Sequence, residues 1–182
     1  MPRTVTTEVY TFKELSETAQ ERAHSDYVSE GQSFAWRDEW QDSLNAFCSI
    51  APVRCARHDV AAGHIDCHAC FDEPDAAHLS GVRAWKWLQN NGWFDLAERN
   101  AVGGCTLTGY CGDCPLFGPI HGYADTPSKV PDLGQVFYEC LQSWVYALRA
   151  DQEHCESLEY FAEMCEANGW EFDEDGGWSD EN

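Results

Sequence analysis

The stretch LGQVFYECLQSWVYAL, residues 133–148, decides the fold class. Leu133, Val136, Phe137, Cys140, Leu141, Trp144, Val145 and Leu148 recur at intervals of three and four, the period of a helix with one buried face. Asp132 precedes the pattern, and the spacing predicts the longest helix of the chain. The rhythm runs on into Leu158, Phe161, Ala162 and Cys165, and the Asn168-Gly169 pair supplies a C-terminal stop. Trp170 to Phe172 then reads as a short final strand, and residues 173–182 as a mobile acidic tail.

Working towards the N-terminus, residues 102–131 are rich in Gly, Pro and Cys and read as an irregular loop. Ser80 is placed to cap a helix over residues 81–89 carrying Val82, Trp85 and Leu88. A short turn around Trp93 to Glu98 follows Asn90-Asn91-Gly92. Residues 53–60 and 64–71 alternate as the two strands of a hairpin turning at Ala61-Ala62-Gly63. Trp36, Trp40, Leu44 and Phe47 form the stripe of a helix over residues 33–47. Another helix spans 12–29, with Leu15, Ala19, Ala23 and Tyr27 on one face, Thr11 and Glu14 as a capping box, and Gly31 as its stop. A strand over residues 5–10 opens the chain. Together these segments predict an α+β fold, with helices packed on a small antiparallel sheet and a long C-terminal helix, in a single domain over residues 1–172.

Composition narrows the function. The 182 residues are 43% hydrophobic and 13% aromatic, enough to build a core. Without 18 consecutive apolar residues or the apolar stretch of a signal peptide, the expected location is a cytoplasm, where the ten cysteines would be mostly reduced. Thirty-two Asp and Glu face 11 Lys and Arg, a net charge of −21. Such a surface repels nucleic acid and anionic membranes and attracts basic proteins. Only Lys129 and Arg149 are basic after residue 99, and twelve acids but no base follow residue 150.

Within that segment Glu153, Glu156, Glu159, Glu163 and Glu166 lie three or four apart, which on one continuous helix gives a carboxylate stripe. A solvated helix face has the same pattern. The functional reading is a row of charge resembling a phosphate backbone and able to occupy a groove built for one. These five glutamates are the candidate partner-binding residues.

The cysteines offer a second chemistry. Cys67-x-x-Cys70 and Cys111-x-x-Cys114 have the spacing of a four-thiolate zinc site, with His64, His68 and Cys105 as spare ligands. Against this, Cys67 and Cys70 would point to opposite faces of a regular strand, and small half-buried thiols are the plainer reading. A redox pair at Cys111 and Cys114 lacks the βαβ context of thioredoxin-like proteins. No nucleophile elbow, phosphate loop or other catalytic signature is present, so the sequence points to binding rather than catalysis. Asp173-Glu174-Asp175-Gly176 is similar to the start of a calcium loop but lacks its terminal acid and following helix.

Two segments, YTFKELSETAQERA at Tyr10 to Ala23 and CTLTGYCGDCPLFGPI at Cys105 to Ile120, carry a resemblance that continues through the long helix and YFAEMCEANGWEFDEDG at Tyr160 to Gly176. They resemble a family of small acidic proteins encoded by phages and prophages. The similarity covers the start and roughly the C-terminal half of the chain, and not clearly the middle with Cys67 and Cys70. It implies no catalytic residues. In that family the position of Cys114 is often another residue, leaving Cys105 and Cys111 as the more typical pair. By analogy with small acidic phage proteins that counter host defence, the resemblance implies an anti-CRISPR-like inhibitor acting in the host cytoplasm. Its partner would be a basic nucleic-acid-binding protein or ribonucleoprotein complex, engaged without direct contact to nucleic acid or membrane. The alternatives are a zinc-stabilised interaction or regulatory module and a small Cys- or zinc-dependent enzyme.

Overall fold

The structure is a computed structural model, and it describes residues 8–59, 64–71, 74–101 and 104–179; the side chains of 55–59 and 64–69 lie outside that description. The chain is mostly helical with small antiparallel strand pairs, an α+β arrangement. In order it forms β1 (Tyr10–Thr11), α1 (Glu17–Ser29), α2 (Arg37–Ile50), β2 (Val53–Asp59), β3 (His64–Ala69), α3 (Val82–Asn90), α4 (Trp93–Ala101), α5 (Asp113–Gly122), α6 (Leu133–Cys155), α7 (Leu158–Asn168) and β4 (Glu171–Phe172). No helix among the described residues is long and apolar enough to cross a membrane.

The chain divides into two compact units rather than the single domain expected over 1–172. A terminal unit comprises Met1–Ala35 with Asp151–Asn182, and a central unit comprises Trp36–Ala150. The boundary falls within α6.

In the terminal unit, Leu15, Ala19, Ala23 and Tyr27 are buried as their spacing predicts. The helix is shorter than 12–29, however. Thr11 and Glu14 close a single 3-10 turn, in which the Glu14 carboxylate accepts from the Thr11 N–H at 2.9 Å and its hydroxyl at 2.8 Å. α1 begins afresh after Ser16, whose Oγ accepts from the Ala19 N–H. Phe12, Leu15, Ala19, Ala23, Tyr27, Phe161, Cys165 and Phe172 make one buried cluster. Phe161 stands 5.1 Å edge-on to Phe12 and 4.7 Å from Tyr27. β1 pairs with β4 through Tyr10 opposite Phe172 and Thr11 opposite Glu171, which joins the first described strand to the last.

Residues 173–179 are held rather than loose, a departure from the expected tail. Trp178 packs 5.1 Å from both Trp170 and Phe172 and bridges to Phe172. Asp173 Oδ1 accepts from the N–H groups of Asp175 and Gly177, so the segment similar to a calcium loop turns its carboxylate onto its own backbone. The aromatic ring of Trp178 accounts for the difference, because it supplies apolar burial that acidic composition conceals.

The central unit is built on Phe47, Trp93, Phe117 and Phe137, whose rings meet at 4.8–6.3 Å. α6 buries every apolar position named above between Leu133 and Leu148. Asp132 starts it by accepting from the Gln135 N–H. Three expectations are corrected here. α2 begins at Arg37, after a 3-10 turn over Gln32–Phe34. Gly81, not Ser80, caps α3, and Val82 is half exposed. Residues 113–122 of the expected loop form α5, because Leu116, Phe117 and Ile120 are fully buried despite Pro119 within the helix. β2 and β3 form the expected hairpin, with Cys55 opposite Cys67 and an irregularity between Cys55 and Arg57. Its turn at 61–63 lies outside the described residues.

Candidate functional site

Charge follows the division into units. The terminal unit holds 18 acids and 3 bases, a net of −15, and the central unit 14 acids and 8 bases, a net of −6. Among the described residues of the terminal unit, only Lys13 and Arg22 are Lys or Arg, and both are engaged. Lys13 Nζ lies 2.6 Å from Glu166, and Arg22 lies 4.0 Å from Asp26. Two such cations cannot neutralise the sixteen carboxylates described in the same unit.

The five candidate glutamates all fall in this unit, but not on one helix. Glu153 is exposed near the end of α6. Glu156 lies in the break between α6 and α7, half-buried, accepting from Gln152 Nε2 at 2.7 Å. Its carbonyl oxygen is 2.8 Å from His24 Nε2. Ser157 makes the break: its backbone is extended, and its Oγ accepts from the Tyr160 N–H as the N-cap of α7. The single stripe expected over 153–166 is therefore corrected to a shorter row. Glu159, Glu163 and Glu166 lie at i, i+4 and i+7 on one side of α7, all exposed. The opposite face, with Phe161 and Cys165, is buried. Like charges four apart destabilise a helix by a few tenths of a kcal/mol, whereas burying a phenylalanine contributes about 1.5–3 kcal/mol, so packing holds the row in place.

Beside this row is a groove of about 330 Å³. Phe12, Ala162, Cys165 and Trp170 line it, together with Lys13, Glu166 and Glu171. Exposed acids also stand on α1 (Glu17 and Glu21) and in the final turn (Asp173, Glu174 and Asp175). The exposed acids of the first two helices are expected from the sequence to act with the C-terminal row; those of the final turn join the same charged body once β4 returns to β1.

Of the four cysteines with zinc-site spacing, Cys70, Cys111 and Cys114 have described side chains. Cys67 lies in β3, and its side chain is outside the described residues. Cys70 follows the strand, exposed, with its N–H bonded to the Pro52 carbonyl. Cys111 is exposed ahead of α5, and Cys114 is half-buried in its first turn. Among the described residues no group of three or more His, Cys, Asp and Glu side chains is disposed to hold a metal. The close partner of Cys114 is Cys105, with the sulfurs 3.7 Å apart.

A polar knot fixes that pair. Asp113 is fully buried; its Oδ2 accepts from the Leu107 and Thr108 N–H groups and its Oδ1 from the Thr108 hydroxyl, each at 2.8 Å. Buried Asn100 donates to Thr106 Oγ1 and accepts from the Thr106 N–H. Ser43 Oγ meets Thr108 Oγ1 at 3.1 Å. A Cβ at Gly112 would come within 2.9 Å of Ser43 Oγ, so this position favours glycine. Burial pushes the Cys105 thiol up, and the neighbouring Cys114 adds to the shift. Asp113, Asn100 and the Cys105–Cys114 contact escaped sequence reasoning, although an Asp directly after Gly112 at a helix start was a usable signal.

No family model matches the chain, and no curated protein or solved structure matches it.

Proposed function

We propose that the chain is a polyanionic inhibitor that binds a basic nucleic-acid channel in place of DNA or RNA. In this reading it is a phage-encoded, anti-CRISPR-like protein directed at a host nucleic-acid-targeting defence complex. The observation that carries the reading is the concentration of 18 acids against 3 bases in one compact unit with an aromatic core. A disordered acidic tail would lose conformational entropy on binding, whereas carboxylates on α7 and α1 are already positioned. Along α7 three carboxylates are spread over seven residue steps, so a charge recurs every ~5 Å of axis at 1.5 Å per residue. B-DNA carries one every 3.4 Å per strand, so the row imitates charge density and direction rather than the individual positions of phosphates. Such a body is steered to a cationic channel, and salt weakens the encounter.

The test is displacement of labelled DNA or guide RNA from a basic effector complex, measured at rising ionic strength. The wild-type chain is expected to displace the nucleic acid, and Glu159→Lys with Glu163→Lys to raise the required concentration by about tenfold or more, with the difference shrinking in high salt. Displacement that ignores both the charge reversal and the salt overturns the reading.

A further inference from the structure

We propose that Cys105 and Cys114 form an oxidation site, a dithiol that closes to a disulfide when the chain meets a hydroperoxide. The proposal rests on geometry in the central unit and is independent of the function proposed above. The sulfurs lie 3.7 Å apart and need to approach to about 2.05 Å to bond. The Asp113 and Asn100 hydrogen bonds hold the two ends of the intervening loop, so the thiols are kept facing one another instead of meeting by chance.

Access comes from a cavity of about 210 Å³ into which Cys114 opens, walled by Ala97, Asn100, Phe117, Gly118 and His121. Half-burial lets a small oxidant in while excluding bulky ones. Cys140, Cys155 and Cys165 are buried, and desolvation pushes their thiols well up, which keeps them unreactive. Cys111 is exposed, and its side chain acts on the Cys105 thiol in the direction opposite to burial.

The Cys114 thiolate attacks one oxygen of the hydroperoxide; the O–O bond breaks, and the leaving oxygen takes a proton as water or an alcohol. Cys114 is then a sulfenic acid. Cys105 attacks that sulfur, the S–O bond breaks, the hydroxyl leaves as water with the Cys105 proton, and an S–S bond remains. Two thiols are oxidised and one peroxide is reduced. The product staples residues 105–114 beneath exposed Tyr110 and Cys111.

The test uses the full chain, reduced and then treated with hydrogen peroxide, quenched by alkylation and digested without reductant. The expected product is a peptide linking Cys105 to Cys114, reversed by dithiothreitol. Cys111→Ser is expected still to form it. In Cys105→Ser, dimedone is expected to trap the sulfenic acid at Cys114. Dimedone added to the wild-type chain during the reaction checks the same site without relying on a variant's folding. A linked peptide containing Cys111, a first sulfenic acid at Cys111, or Cys105 and Cys114 both still alkylatable when Cys111 is consumed overturns the proposal.

Discussion

Lys13 Nζ lies 2.6 Å from Glu166 Oε2, across 153 residues of sequence, and joins the 3-10 turn before α1 to the carboxylate row of α7. Both side chains are more than two-thirds exposed, so the pair contributes at most about 1 kcal/mol to stability. Its larger effect is on charge, because it occupies one of the three carboxylates of the row. Lys13→Gln is therefore expected to leave the melting temperature nearly unchanged and to improve displacement of nucleic acid from a basic complex, most clearly at low salt. Melting curves and the displacement assay at two ionic strengths check both halves. Weaker displacement would mean that Lys13 itself meets the partner.

Gly176 carries the final turn past the first helix. Its φ is +85°, and a Cβ there would sit 2.1 Å from the backbone oxygen of Ala19. Gly176→Ala is expected to push the turn away from α1, release Trp178 and destabilise the terminal unit by about 2–4 kcal/mol, since strain and a backbone collision act together. Gly169→Ala is the control: φ is +65° but the space around it is open, so its cost is about 1 kcal/mol. Thermal melts, with tryptophan fluorescence reporting on Trp178, compare the two.

The contrast between those glycines also shows what the sequence could convey. Gly169 was legible as a helix stop because it follows an apolar period; Gly176 was not, because its constraint is a distant carbonyl. The stripes of α1, α2 and α6 were legible for the same reason as Gly169, each being a local repeat of large apolar residues. α5 was hidden by Gly118, Pro119 and Gly122, whose poor helix propensity is outweighed by the burial of Leu116, Phe117 and Ile120. The carboxylate row is shorter than its spacing implies, because the three-to-four rhythm continues through Ser157 and masks its role as a cap. The pairing of Cys105 with Cys114 follows no recognised spacing, since Cys114 reads in sequence as the partner of Cys111, and the buried Asp113 that brings them together is visible only in three dimensions.

Asp113→Asn tests that organisation. An amide keeps the size but offers only one acceptor oxygen, and its NH₂ faces a donor where Oδ1 or Oδ2 now accepts. Losing charge-assisted bonds in a buried site is expected to cost about 2–4 kcal/mol. Asp113→Asn should also separate the two sulfurs, so disulfide formation slows even where the helices persist. Circular dichroism with denaturant titration reads the first effect, and the rate of thiol loss under peroxide reads the second.

Alkali should find the weak side of the terminal core. Burial pushes Cys165 up to about 12 and Cys155 to about 11, and it raises the Tyr27 phenol as well. An unfolded thiol ionises near 9. Below that value both states hold the proton, and the groups add nothing to the pH dependence. Between about 9 and 11–12 the unfolded chain releases protons that the folded chain retains, so it binds fewer, and stability falls as pH rises. Each such proton contributes a slope of up to about 1.4 kcal/mol per pH unit. The terminal unit is thus expected to keep its stability as pH rises towards 9 and to lose several kcal/mol over the following two units. Cys165→Ala removes one titrating group: it lowers stability at neutral pH by leaving a small void, yet flattens the alkaline limb. Chemical denaturation at a series of pH values, followed by tryptophan fluorescence, separates the two effects. An alkaline slope identical in Cys165→Ala and wild type would show that this thiol is not what limits the fold.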